Sequence, residues 1–89
     1  MSVLDLSSHH LPRHVCDHLN VYDGVTAHRT THGWLLAVPG DLAEHRTDHR
    51  TTVPDTVWAL WQYAHRFAAD YLLLDAGAGF GDDLRSWDW

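Results

Sequence analysis

The tightest constraint on the fold is a helix that runs almost without pause into a strand. Val57, Trp61, Ala64 and Ala68 recur at i, i+4, i+7 and i+11 with Leu60 beside them, the spacing of an amphipathic helix over about Thr56 to Ala69. Trp58 and Phe67 widen its apolar face, and Asp55 stands where a capping side chain is expected. Asp70 marks the exit, and the apolar run Tyr71 to Leu74 then reads as a buried strand.

Further strands precede this pair. Val25 to Thr30 is alternating and β-branched, Thr31-His32-Gly33 makes a turn, and Trp34 to Val38 is continuously apolar until Pro39-Gly40 stops it. Together they predict an antiparallel hairpin. Because a helix lies between Trp34–Val38 and Tyr71–Leu74, a parallel right-handed crossover is the economical link between those strands. Met1 to Leu6 alternates and predicts a short strand. Leu11, Val15 and Leu19 then predict a helix from His10 to Asn20, with Pro12 in its first turn. Asp41 to Thr52 is polar and offers at most one exposed helical turn. The expected architecture is α+β, a two-layer sandwich of a small mixed β-sheet with two helices on one face, in a single domain over residues 1–89.

Chains of 89 residues bury only about 60–65% of their unfolded surface, and the five Trp, three Tyr and two Phe compensate with large buried areas. No apolar run approaches the ~20 residues of a membrane span, and no signal peptide is evident. Cys16 has no cysteine partner in the chain, which fits a reducing compartment. A cytoplasmic protein is expected. Lysine and isoleucine are absent and Asn20 is the only asparagine, the mark of a GC-rich bacterial or phage gene. In such a gene histidine drifts into exposed polar positions, so the nine histidines carry less information than their number suggests.

Three chemistries can be weighed. The run Asp75-Ala-Gly77-Ala-Gly79-Phe-Gly81 matches the D-x-G-x-G-x-G spacing of an S-adenosylmethionine loop, but that loop needs a complete βαβ unit and only eight residues follow Gly81. A turn is expected instead, with no cofactor. His10, His14 and His18 are spaced by four on the first helix and are the metal candidates, with His45 and His49 repeating the spacing beside Glu44 and Asp48. A solvated helix face is the preferred reading of the stripe, and no metal is assigned. Ser7, Ser8 and Ser86 lack a nucleophile turn, and Cys16 beside Asp17 lacks the electropositive surroundings that activate a thiol. The expectation is a protein without enzymatic activity.

Charge is the feature with reach. The formal net charge is −6, and from Asp70 to Trp89 the acids Asp70, Asp75, Asp82, Asp83 and Asp88 face only Arg85. Such a region repels nucleic acid and is drawn to basic surfaces. Tryptophan is enriched at binding hot spots, so Asp75, Asp82, Asp83, Asp88, Trp89 and Trp58 are the partner-binding candidates. A homodimer pairing its tryptophans is a further expectation.

The segments LSSHHL, HGWLLAVPGDL, VWALWQYAHRFAADYLLLD and the closing DDLRSWDW together resemble a family of short uncharacterised proteins from bacteria, phages and plasmids. Its marks are a glycine-aromatic strand ending in V-P and a terminal Y/W-D-W. The resemblance implies an α+β domain in a mobile-element setting and brings no catalytic residues. Joined to the acidity, it leads to an expected function as an acidic inhibitor of the anti-CRISPR or anti-restriction type. The expected partner is a basic nucleic-acid-handling protein such as a CRISPR effector subunit, with no direct binding of nucleic acid.

Overall fold

The computed structural model of the protein describes residues 2–81 and 84–89. Strands β1 (Val3–Ser7), β2 (Ala27–Arg29), β3 (Gly33–Ala37) and β4 (Tyr71–Asp75) form one sheet in the order β1-β4-β3-β2. β1 runs parallel to β4, and the other two pairings are antiparallel. Helices α1 (Arg13–Asp17), α2 (Leu42–His49) and α3 (Asp55–Arg66) complete the fold, with 3₁₀ turns at Ser8–His10 and Leu19–Val21. The α+β expectation with a mixed sheet therefore holds.

Strand periodicity divides the sheet into two faces. Leu6, Trp34, Leu36, Leu72 and Leu74 point to one face, where they join Val57, Trp58, Leu60, Trp61 and Ala64 of α3 and Val15 of α1 in the core. Each fully buried leucine there contributes about 1.5–3 kcal/mol. The two indoles at the centre keep their N–H groups satisfied, as buried tryptophans require: Trp34 donates to the Cys16 carbonyl at 2.7 Å and Trp61 to the Ala37 carbonyl at 3.0 Å.

Several expectations are corrected. The helix predicted for His10–Asn20 is broken, because the residue before a proline is driven out of the helical region. Leu11 is extended (φ −118°, ψ 142°), so α1 begins only after Pro12. A full helix, α2, occupies the segment predicted to hold one turn at most. Asp41 accepts the Glu44 amide at 3.0 Å, as the D-x-x-E pattern allows, and His45 bonds the Gly24 carbonyl through Nε2 at 2.7 Å. Strand β3 is antiparallel to β4, and β1 supplies the parallel neighbour. The end of α3 lies beside the end of β3, where His65 Nε2 meets the Pro39 carbonyl at 2.7 Å. The segment containing α2 thus returns the chain before α3 begins, a passage the single-crossover reading omitted. Asp55 is the first residue of α3 rather than its cap, a position held by Pro54. Ala68, at φ 53°, turns the chain out of α3, and its amide and that of Ala69 bond the His65 and Ala64 carbonyls.

Gly33 begins β3 opposite Asp75, and a Cβ there would run into the Leu74 carbonyl. Gly33→Ala is expected to lower stability by about 2–3 kcal/mol, whereas Gly40→Ala, with open space around it, should leave it nearly unchanged; urea titration of both variants checks this. Burial, followed by the Asp17 carboxylate, pushes the Cys16 thiol above its ordinary range against the opposing effect of Arg29. The raised folded-state value means that this contribution to the native state is fully present below the thiol's unfolded value and is lost as pH rises through the raised folded one. Iodoacetamide at pH 8 should therefore leave Cys16 unmodified in the native protein and alkylate it in urea, and rapid native alkylation would contradict its placement.

Candidate protein-binding surface

The C-terminal segment leaves β4 through a turn held by its own first residue. Asp75 Oδ1 accepts the Gly77 amide at 2.8 Å, and the Ala78 amide bonds back to the Asp75 carbonyl. This is the Asx geometry that aspartate favours at turns. The Ser7 amide at the end of β1 then donates to the Gly79 carbonyl at 2.9 Å. The glycine run is therefore a turn, as the sequence predicts, but one anchored to the neighbouring strand rather than a flexible one.

His10 ties the rest of the segment down. It is 2% exposed, and the Gly81 amide donates to its Nε2 at 2.8 Å. That nitrogen must therefore carry the lone pair. The proton of the neutral ring then sits on Nδ1, which donates to the Arg85 carbonyl at 2.8 Å. One imidazole thus holds two points of the segment, and protonation of Nε2 would abolish the Gly81 bond. His9 continues the seam: its carbonyl accepts the Trp87 amide at 2.8 Å, its ring stacks on Trp89 at 4.4 Å, and the Trp89 indole donates to the Leu11 carbonyl at 2.9 Å.

What this seam presents outward is aromatic and acidic. Phe80 is 61% exposed and Trp89 39% exposed, with Phe80 set edge-on to His10 at 5.2 Å. Beside Phe80 lies an open groove of about 400 Å³ lined by His9, Ala76, Phe80, Ser86, Trp87 and Asp88. Asp88 is exposed, and Asp75 is half-buried next to Ala76.

Of the partner-binding candidates, Asp75, Asp88 and Trp89 are brought to this one end of the sheet. Asp82 and Asp83 lie outside the described residues. Trp58 belongs to the core: it is 5% exposed and packs against Trp61 at 4.9 Å and His45 at 5.8 Å, so it has no free ring face. The metal candidates are dispersed by the break at Pro12. His10 is buried against the C-terminal segment, while His14 and His18 are exposed, with His18 Nδ1 on the His14 carbonyl at 3.1 Å. Among the described residues no three His, Cys, Asp or Glu side chains come together in a group that could hold a metal ion. Sequence reasoning missed the anchoring by His9 and His10 and the exposure of Phe80; the Leu11-Pro12 pair was the available signal that His10 could not belong to a continuous helical stripe.

Residues 3–89 match the profile of a family of unknown function, the DUF5983 C-terminal domain. The chain belongs to the DUF5983 family. No curated protein and no solved structure matches it. In this DUF5983 domain, the motifs that close the sequence are thus the ones that build the His9–His10 seam. No helix among the described residues is long and apolar enough to cross a membrane.

The hydrogen-bond pattern around His10 requires the Nδ1–H tautomer. Nitrogen-15 NMR of the imidazole at pH 7.5 should show a protonated Nδ1 and an unprotonated Nε2; the opposite tautomer would contradict the bond to Gly81.

Proposed function

We propose that this DUF5983 domain is a non-enzymatic, acidic protein-binding inhibitor that occupies the basic nucleic-acid-binding surface of a host-defence nucleoprotein in the cytoplasm, in the manner of anti-CRISPR and anti-restriction proteins of mobile elements. The observation that carries the reading is the pairing of exposed aromatic rings, Phe80 and Trp89, with acids on a segment fixed in place by His10. Aromatic anchors supply affinity where they are desolvated, and a surface ordered before binding avoids part of the entropic cost of association. Five acids against one arginine between Asp70 and Trp89 repel nucleic acid and steer the domain to a basic groove.

The test is capture from a lysate of a GC-rich bacterium carrying CRISPR and restriction systems, at low and high salt. The wild-type domain should retain a nucleic-acid-handling protein that salt releases, and should then compete stoichiometrically with its nucleic acid. Combining Asp82→Asn, Asp83→Asn and Asp88→Asn should weaken the affinity at least about tenfold at low salt, and Phe80→Ala should weaken it at both salt concentrations. Equal retention by the triple variant would contradict the electrostatic part of the proposal.

A further inference from the structure

The sheet face turned away from the helices carries an arrangement independent of the C-terminal segment. Sheets with one open face ordinarily set polar residues outward. Here the outward positions of the two central strands are Tyr71 and Leu73 on β4 and Leu35 and Ala37 on β3, all half-exposed, with Val3 of β1 exposed beside them. The buried hydrophobic residues of the strands, Leu6, Trp34, Leu36, Leu72 and Leu74, occupy the opposite face. The register places Asp5, Leu73, Leu35 and His28 side by side across β1, β4, β3 and β2. An exposed carboxylate thus ends the row at one edge, an exposed imidazole ends it at the other, and two leucines lie between.

We infer that this face is a homodimer interface, in which two sheets pack face to face about a two-fold axis running along the strands between β3 and β4. Such an axis reverses the order of strands, so β1 lies over the partner's β2 and β4 over the partner's β3. The row then meets itself in reverse: Asp5 faces the partner's His28, Leu73 faces the partner's Leu35, and each contact occurs twice, as an isologous interface requires. An imidazole donor meets a carboxylate acceptor at both ends, and this pairing strengthens when the ring is protonated. A two-fold axis running across the strands along this row would instead set Asp5 against the partner's Asp5, a repulsive contact. The charge pattern therefore selects both the occupant, a second copy of this chain, and the axis. Aligned face-to-face packing of twisted sheets, about 10 Å apart and within ~30°, is a common geometry. Ser7, the third outward position of β1, is already buried beside the Gly79 turn, so the interface uses the rows of Asp5 and Val3. An axis along the strands also keeps both C-terminal surfaces at the same end of the dimer.

The test is sedimentation equilibrium of the whole chain from micromolar to near-millimolar concentration. The wild type should be a dimer. Leu73→Glu should be monomeric, with circular dichroism confirming the native fold. Because a charge on a central strand can also disturb folding, exchange of the edge residues provides the second arm. Asp5→His places imidazole over imidazole and His28→Asp places carboxylate over carboxylate, and each should weaken dimerisation about tenfold, the scale of a lost close charge pair. The double exchange, Asp5→His with His28→Asp, should recover most of the wild-type affinity. A wild type that is monomeric throughout, a dimer indifferent to the single exchanges, or a double variant no better than the singles would overturn the inference.

Discussion

Strand β4 is hydrogen-bonded along both edges, to β1 in parallel and to β3 in antiparallel register, and nearly every other feature follows from that position. Leu72 and Leu74 carry the centre of the core, and the two residues between α3 and the amide of Ala69 are turned by Ala68 so that the strand can begin under the helix it follows. The fit is close enough to require Gly33 opposite Asp75. Because β4 ends beside the end of β1, the chain that leaves it emerges next to His9 and His10. The C-terminal surface is thus a consequence of sheet order.

The histidines show how position, rather than number, gives a residue its role. His45 bonds the Gly24 carbonyl and packs edge-on against Trp58 and Trp61, which fixes α2 although that helix buries none of its own residues. His10 holds Gly81 and Arg85, and His9 supports Trp87 and Trp89. Each imidazole serves here as a buried or half-buried connector between segments distant in sequence, and His10 does so through both ring nitrogens, one donating and one accepting. His14 and His18, by contrast, remain in solvent. The same residue type thus ties distant segments together at His9 and His10 and stands in solvent at His14 and His18.

Much of the fold was legible because its patterns are local. The α3 periodicity, the hairpin of β2 and β3, the N-terminal strand and the apolar run of β4 are each declared by neighbouring residues. The misread parts depend on contacts between distant residues or on patterns without an apolar face. Beyond Leu42 and Ala43, helix α2 is polar and has no apolar stripe, so periodicity does not reveal it and only the Asp41–Glu44 cap marks it. Once α2 was missing, the chain lacked its return passage and β3 was set parallel to β4. In the candidate surface, acidity and terminal tryptophans were visible in the sequence. The partners that order them, His9 and His10, lie 75 to 78 residues earlier, and nothing local announces the pairing. In the sequence, Trp58 on the flank of α3 looks the same whether His45 of α2 covers it or solvent does.

The central claim is that the aromatic and acidic C-terminal segment is an ordered surface, held to the sheet by His10. Amide hydrogen exchange followed by NMR tests it residue by residue. The Gly81 and Trp87 amides should exchange slowly in the wild type, and in His10→Ala both should lose protection while Leu72 and Leu74 keep theirs. Rapid exchange of Gly81 and Trp87 in the wild-type protein would show that the segment is not held, and would contradict the account.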